Sequence, residues 1–181
     1  MKEIVTPVGD DVIDSLKSGD MVYLSGIIYT ARDAAHKRLA EMIEAGKKLP
    51  FDFDRQIVFY AGPAPAKPGK PIGSVGPTTA GRMDLYSPLL ISKGLKLMIG
   101  KGLRSKEVME AIVRYRGIYF AAIGGVAALM AKCVKSSKII AFDDLGTEAV
   151  MELLVERLPL LVAVDSRGQN LYETGRRDYF S

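Results

Sequence analysis

The feature that most restricts the fold of this chain is a regular alternation of short apolar and amphipathic segments over residues 95–164. The pattern predicts strands at 95–99, 118–123, 138–142 and 160–164, separated by helices at 105–114, 125–134 and 147–157. Ser105 is placed to cap the first of these helices. Strands that alternate with helices pair in parallel and are covered by those helices. The second half of the sequence therefore predicts an α/β fold.

The first half has more strand signals and is less regular. We predict a short strand and a helix near 10–16, followed by strands at 21–29, 56–60 and 72–75. Thr30 is the predicted N-cap of a helix at 31–45, with Asp33 three residues on. A glycine-rich turn at 76–82 leads into a further helix that ends near residue 91. At 181 residues we expect a single domain spanning 1–181.

Composition excludes several classes of function. The sequence has one cysteine and one histidine, which excludes a disulfide scaffold, a multi-histidine zinc site and an iron–sulfur cluster held by this chain alone. The net charge is +4 and basic residues cluster only in pairs, so a nucleic-acid partner is not expected. No apolar run reaches the length of a membrane span and no signal peptide is recognisable, so we expect a cytoplasmic protein.

A first candidate binding segment is the predicted strand-to-helix turn at 30–36. The exposed N–H groups at a helix start favour an anion, and Arg32 adds a planar fork that suits a carboxylate. The alternative is that Thr30 and Asp33 only cap the helix while Arg32 is solvated. His36 is more typical of a helix surface or a half-buried position than of a catalytic base.

The segment 76–84 is a second candidate. Two glycines allow a ligand to approach the backbone closely. Thr78 and Arg82 lie four residues apart and share a face if a helix starts early. A hydroxyl and a guanidinium beside exposed N–H groups would form an anion site, whereas the alternative is a capped turn before a core helix.

Three other segments carry weaker signals. Lys101 stands between glycines directly after a predicted strand, where it could reach a ligand or be a solvated turn residue. The pair Gly124-Gly125 indicates a close-packed turn. In the acidic segment 143–148, Asp144 and Thr147 are predicted to cap and turn rather than to bind metal, and Cys133 is predicted to be a small core residue.

Six segments in this order resemble a known family: YTARDAAHKRL, GSVGPTTAGRMD, IGKG, AIGGVAAL, DDLGTEA and VDSRGQNLY. Together they are similar to the C-terminal region, or separate beta subunit, of the iron–sulfur-dependent class I fumarate hydratases and L-tartrate dehydratases. The resemblance implies a swivelling β/β/α three-layer domain with a mixed or parallel sheet. It also implies a 4Fe-4S cluster on a partner alpha subunit and no cofactor on this chain.

The resemblance also implies roles for individual residues. Arg32, Arg82 and Lys101 are similar to the family's carboxylate-binding groups, and Thr78 and Lys101 would be catalytic, with Thr78 acting in proton transfer. Asp33 and His36 would orient the binding loop.

The expected function is reversible hydration of fumarate to (S)-malate by a hetero-oligomer with the alpha subunit, with a homodimer as the state of the chain alone. The alternatives are a dehydratase acting on L-tartrate or another hydroxy-diacid and, more distantly, a non-catalytic dicarboxylate-binding module.

Overall fold

Strands and helices alternate through residues 2–122 and 127–180, the part of the chain that the computed structural model describes, with side chains described as far as residue 175. Within that part, the strands are β1 (Lys2–Val5), β2 (Met21–Thr30), β3 (Ile57–Phe59), β4 (Leu97–Gly100), β5 (Ile118–Ala121), β6 (Val134–Ala141) and β7 (Val150–Val164). The helices are α1 (Asp10–Ser15), α2 (Asp33–Glu44), α3 (Ser87–Ser92), α4 (Lys106–Tyr115), α5 (Ala127–Cys133) and α6 (Leu171–Phe180). Two 3₁₀ helices cover Ala80–Met83 and Asp143–Glu148.

The seven strands of the described part form one mixed sheet in the order β1-β2-β3-β4-β5-β7-β6. The strands from β1 to β5 pair in parallel, whereas β7 is antiparallel to β5 and to β6. β7 also pairs with β2, antiparallel and along most of the length of β2. The strands β2, β3, β4, β5 and β7 therefore form a closed ring of paired strands. Because β2, β3, β4 and β5 are parallel, their carboxyl ends meet at one edge.

The parallel strands β3, β4 and β5 are buried on both faces, which explains why they read as continuous apolar runs. One core cluster contains alternate residues of these strands together with residues of β7: Phe59, Ile99, Phe120, Leu158 and Leu160. The other contains the intervening residues together with side chains of α2 and α4: Val58, Met98, Tyr119, Leu39 and Ile112. The strands are thus fixed from two sides, and so are the loops that leave them.

Most of the predicted elements are confirmed. The α/β class is confirmed as a mixed α/β fold, and Ser105 caps α4, with its Oγ accepting from the amide of Val108 at 3.3 Å. The helix expected at 125–134 is observed over Ala127–Cys133, while Gly125 lies outside the described residues. No helix among the described residues is long and apolar enough to cross a membrane.

The predicted helix at 147–157 is wrong, because this segment contributes most of the 15-residue strand β7. Val150, Leu153 and Leu154 follow a spacing that is compatible with a helix, but the segment is held between β2 and β6. Tertiary pairing of this kind overrides local propensity. The expectation of parallel pairing throughout the second half is wrong for the same reason, since β6 and β7 run antiparallel.

Three further local predictions are wrong. Thr30 is the last residue of β2 and does not cap α2; its Oγ1 accepts from the amide of Met151 at 3.2 Å. The residues at 72–75 form no strand. The helix expected to run to residue 91 is divided into the 3₁₀ helix Ala80–Met83 and α3, which has Pro88 in its first turn.

Candidate functional site

Two of the predicted binding segments leave the same edge of the sheet as the loop after β3. Arg32 follows β2 by two residues, Gly62 follows β3 by three, and Lys101 directly follows β4. The strands are parallel, and their registers place Thr30 beside Phe59 and Phe59 beside Ile99. Loops at the carboxyl ends of neighbouring parallel strands are a preferred position for ligand sites.

The segment that carries Thr78 and Arg82 crosses this edge. The amide of Thr78 donates to the carbonyl of Tyr60 at 2.6 Å, and the amide of Ala80 donates to the carbonyl of Lys101 at 2.8 Å. Thr79 and Lys101 form an isolated parallel bridge. The backbone at Thr78 is therefore fixed beside the ends of β3 and β4.

Arg82 connects the same segment to α2. Its guanidinium forms an ion pair with Asp33, the first residue of α2 and the neighbour of Arg32. The Arg82 side chain remains 52% exposed. The ion pair brings the second predicted arginine next to the residue that follows the first.

Arg32 holds a carboxylate that belongs to the chain itself. The Nη2 atom of Arg32 lies 3.3 Å from Oε1 of Glu148, and the amide of Ala34 donates to the other carboxylate oxygen at 3.0 Å. A helix start and a guanidinium both favour an anion. The pairing with Glu148 shows that this corner of the fold has the chemistry needed to hold a carboxylate.

Gly62 leaves the space that the Arg32 side chain fills. A Cβ atom at Gly62 would lie 3.0 Å from both Cδ and Nη1 of Arg32 and 3.0 Å from the carbonyl of Thr147. A larger residue would push the guanidinium away from this position. The path of the Arg32 side chain is therefore set by β3 as well as by α2.

Two buried polar atoms at this corner have no hydrogen-bond partner among the described residues: Nε of Arg32 and Oδ1 of Asp33. Buried polar atoms in native proteins are nearly always paired, so each exception needs a physical reason. A polar ligand or ordered water at the site would supply the missing partners.

His36 lies behind the anion-binding groups and is 1% exposed. Its Nδ1 is 2.9 Å from the carbonyl oxygen of Arg32, and because a carbonyl only accepts, Nδ1 carries the proton. Burial lowers the pKa of His36 to about 4. The imidazole is therefore neutral at pH 7 and holds the backbone at Arg32.

The structure brings Arg32, Thr78, Arg82 and Lys101 to one edge of the sheet, with Lys101 and Arg82 exposed and Thr78 half-buried. The remaining candidate, Gly124-Gly125, lies outside the described residues.

Asp144 lies in the first turn of the 3₁₀ helix Asp143–Glu148 but does not cap it, since the cap position is Phe142. The Asp144 carboxylate instead accepts two hydrogen bonds from Arg38, at 2.7 and 2.8 Å. The thiol of Cys133 is half-buried, and burial raises its pKa. Among the described residues, no group of three or more His, Cys, Asp and Glu side chains could hold a metal ion.

Sequence reasoning missed two residues at this edge. Glu148 lies within the segment DDLGTEA, which was noted only for turns and for the resemblance, and its contact with Arg32 joins residues that are far apart in the sequence. Arg104 is buried beneath the site, and nothing in its local sequence indicates that position.

Comparisons with known proteins bear on this arrangement. A family model described as "Fumarase C-terminus" matches residues 3–175. The chain is 46% identical over 152 residues to fumarate hydratase 1, mitochondrial, of Leishmania major, covering 83% of this chain and 28% of that protein. It is 40% identical over 175 residues to the anaerobic class I fumarate hydratase of Escherichia coli, covering 96% of this chain and 31% of that protein.

A third relative differs in length. The chain is 43% identical over 167 residues to the putative L(+)-tartrate dehydratase subunit beta of Methanocaldococcus jannaschii. That match covers 89% of this chain and 86% of the relative. The chain thus spans less than a third of the two fumarate hydratases but most of the relative that is named a beta subunit.

Proposed function

The chain belongs to the Fumarase C-terminus family, and from this membership we propose that it is the substrate-binding subunit of a hydro-lyase that reversibly hydrates fumarate to (S)-malate. The resemblance read from the sequence is thereby confirmed at the level of the family. The substrate, the partner and the residue roles are the content of the proposal.

The observation that carries the proposal is the convergence of two arginines from distant segments. Arg32 and Arg82 are linked through Asp33 at the carboxyl edge of the parallel strands. A substrate with two carboxylates needs two cationic anchors, and an arginine fork matches a carboxylate in shape and charge. Glu148 pairs with Nη2 of Arg32 and so orients the guanidinium, whose other donors we assign to one substrate carboxylate.

In the proposed reaction, this chain binds and orients the substrate. Removal of a proton next to a carboxylate builds negative charge on that carboxylate, and Arg32, Arg82 and Lys101 would stabilise the charge where it develops. Thr78 would assist proton transfer. A free hydroxyl is a weak base, so Thr78 needs a carboxylate partner, which we assign to the partner chain.

The residues of this chain do not fit the 4Fe-4S cluster that the family resemblance implies. The sequence has one cysteine, and no cluster of potential metal ligands occurs within residues 2–122 and 127–180. Such clusters are usually held by several cysteine thiolates. We therefore propose that the cluster belongs to a separate alpha subunit.

The match to a relative named subunit beta supports a hetero-oligomer, because the chain covers 86% of that relative. The exposure of Arg82 and Lys101 also supports it, since a second chain could close the site over them. The same relative favours L-tartrate as the second candidate substrate. The swivelling three-layer arrangement, the single domain and the cytoplasmic location remain predictions.

The test is the substitution Arg82→Ala in the assembled pair of subunits. Loss of a well-placed charged donor lowers kcat/KM by about 10²–10³-fold, whereas the circular dichroism spectrum is expected to stay unchanged because the side chain is half-exposed. Arg114→Ala is the matched control. This arginine is also exposed, and it lies in the last turn of α4, at the opposite end of the helix from Ser105. Activity of Arg82→Ala close to that of the control would remove Arg82 from the site.

Assays of the pair on fumarate, malate and tartrate distinguish the two candidate substrates. The isolated chain is expected to be inactive, and turnover by the purified chain alone would contradict the proposal. A chain that stays monomeric, finds no partner and still binds dicarboxylates would instead be a non-catalytic binding module.

A further inference from the structure

Arg104 is a buried cation beneath the candidate site. Its side chain is 1% exposed, although arginine is rarely buried without partners. Nε donates to Oδ1 of Asp84 at 2.8 Å, and Nη2 donates to Oγ of Ser87 at 2.9 Å. The charge is therefore paired and hydrogen-bonded, as a buried charge must be.

Two tyrosine rings enclose the same guanidinium. Its central carbon lies 5.2 Å from the ring centre of Tyr60 and 5.0 Å from that of Tyr119. Nη2 also lies 3.3 Å from the Tyr60 hydroxyl. Cation–π contacts of this kind strengthen when water is excluded, so Arg104 connects the residue that follows β3 with β5 through their aromatic side chains.

Both tyrosine partners of Arg104 also hold a segment of the candidate site. The carbonyl of Tyr60 accepts the amide of Thr78 at 2.6 Å. The hydroxyl of Tyr119 donates to the carbonyl of Gly102 at 3.0 Å, one residue after Lys101.

Asp84 provides the third connection. It lies two residues after Arg82, and its second oxygen accepts the amide of Ser105 at 2.5 Å. The Arg104 side chain therefore contacts one residue that is bonded to Thr78 and another that lies two positions after Arg82. Through Tyr119 it is also connected to Gly102, the neighbour of Lys101.

Stability alone does not account for such a cluster. A buried ion pair costs desolvation, and apolar residues of similar volume often stabilise a protein equally well. A planar guanidinium, however, presents donors in fixed directions that apolar residues cannot reproduce. The geometry points to a role in fixing positions.

We propose that Arg104 is a positioning residue that sets the backbone of residues 78–84 and 101–102, and with it the placement of Thr78, Arg82 and Lys101. Its effect on turnover rests on the proposed function, whereas its effect on the backbone does not. Arg104 lies below the site and reaches the substrate only through these three residues.

The test uses Arg104→Lys, which keeps the charge but loses the planar fork. The first measurement is hydrogen exchange at the amides of Thr78, Ala80 and Ser105. The amides of Thr78 and Ser105 donate to residues that contact Arg104, and the amide of Ala80 donates to the carbonyl of Lys101, next to Gly102. We expect faster exchange at these amides. The control is Leu16→Ala, a fully buried substitution next to α1 that lowers Tm without touching the cluster.

The second measurement is kcat and KM of the assembled pair, well below the Tm of every variant. A displacement of about 1 Å in catalytic groups costs about 10²-fold in rate, so Arg104→Lys is expected to lose kcat/KM on that scale while Leu16→Ala does not. Faster exchange limited to these amides together with this loss supports the proposal. If hydrogen exchange at these amides, or kcat/KM, is the same in Arg104→Lys as in Leu16→Ala, the proposal is overturned.

Tyr119→Phe keeps the test decisive if Arg104→Lys does not fold. It keeps the ring beside Arg104 and removes only the bond to Gly102. Faster exchange limited to the neighbourhood of residue 102 supports the proposal, and unchanged exchange there overturns it. If the wild-type pair turns over no dicarboxylate, the proposed function fails, and the exchange measurements alone decide the role of Arg104.

Discussion

Acidification is expected to destabilise this protein through His36. The imidazole is fully buried, and burial lowers its pKa from 6.5 to about 4. The unfolded chain therefore takes up the proton at a higher pH than the folded chain. Above pH 6.5 His36 is neutral in both states, and its full contribution to the unfolding free energy is present. This contribution is lost as the pH falls from 6.5 towards 4.

The size of the effect follows from the two pKa values. Each tenfold change in proton affinity is worth about 1.4 kcal/mol, so the full displacement corresponds to about 3 kcal/mol of unfolding free energy. At about pH 5, most of the unfolded chains are protonated at His36 and few of the folded ones are. The expected loss between about pH 7.5 and pH 5 is about 2 kcal/mol.

The assay compares urea unfolding of the wild type and His36→Gln over this pH range. His36 is the one histidine of the sequence, so no other imidazole contributes, and the carboxylates common to both proteins largely cancel in the difference. The stability advantage of the wild type over the variant is expected to shrink by about 2 kcal/mol as the pH falls to about 5. Parallel pH profiles, or an imidazole NMR signal of the folded wild type that titrates near pH 6.5, would refute the reasoning.

Three further predictions concern single substitutions. Glu148→Gln removes the charge that pairs with Arg32, so we expect kcat/KM of the assembled pair to fall about tenfold, comparable to one charge-assisted hydrogen bond; unchanged steady-state kinetics would show that Arg32 needs no such partner. Ser105→Ala removes the cap of α4 and is expected to cost about 1 kcal/mol in urea unfolding, and a stability equal to the wild type would contradict this. Gly100→Ala places a Cβ 2.9 Å from the Tyr60 ring and 3.1 Å from Ala80 Cβ and is expected to cost about 1–3 kcal/mol. The matched change Gly81→Ala meets only a carbonyl at 3.8 Å, so equal losses for the two glycines would be inconsistent with this steric argument.

The local elements that were predicted correctly carry their signal in neighbouring residues. The parallel strands β3 and β4 are buried on both faces, so each appears as a short apolar run, at Ile57–Phe59 and Leu97–Gly100. The cap of α4 was predicted because a serine stands directly before an amphipathic segment. These patterns depend on residues a few positions apart and need no tertiary information.

The segment at 147–157 shows where local patterns fail. Its apolar residues fit a helix about as well as a strand, and the choice was made by pairing with β2 and β6, strands that lie elsewhere in the sequence. The same pairing places Thr30 against Met151 and removes it from the start of α2. The pairing of β7 with distant strands therefore accounts for two wrong predictions, the helix at 147–157 and the N-cap at Thr30.

For the candidate site, the sequence determined which chemical groups are available: the two arginines, the lysine, the threonine and the absence of enough cysteines for a cluster. It also determined that Arg32 and Lys101 follow strands. Only the tertiary structure paired Glu148 with Arg32 and Asp33 with Arg82, and only it placed Arg104 beneath them. The physical reason is that these are contacts between distant segments in a buried or half-buried setting. Their geometry depends on how strands pair and pack, and that information is absent from the spacing of residues along the chain.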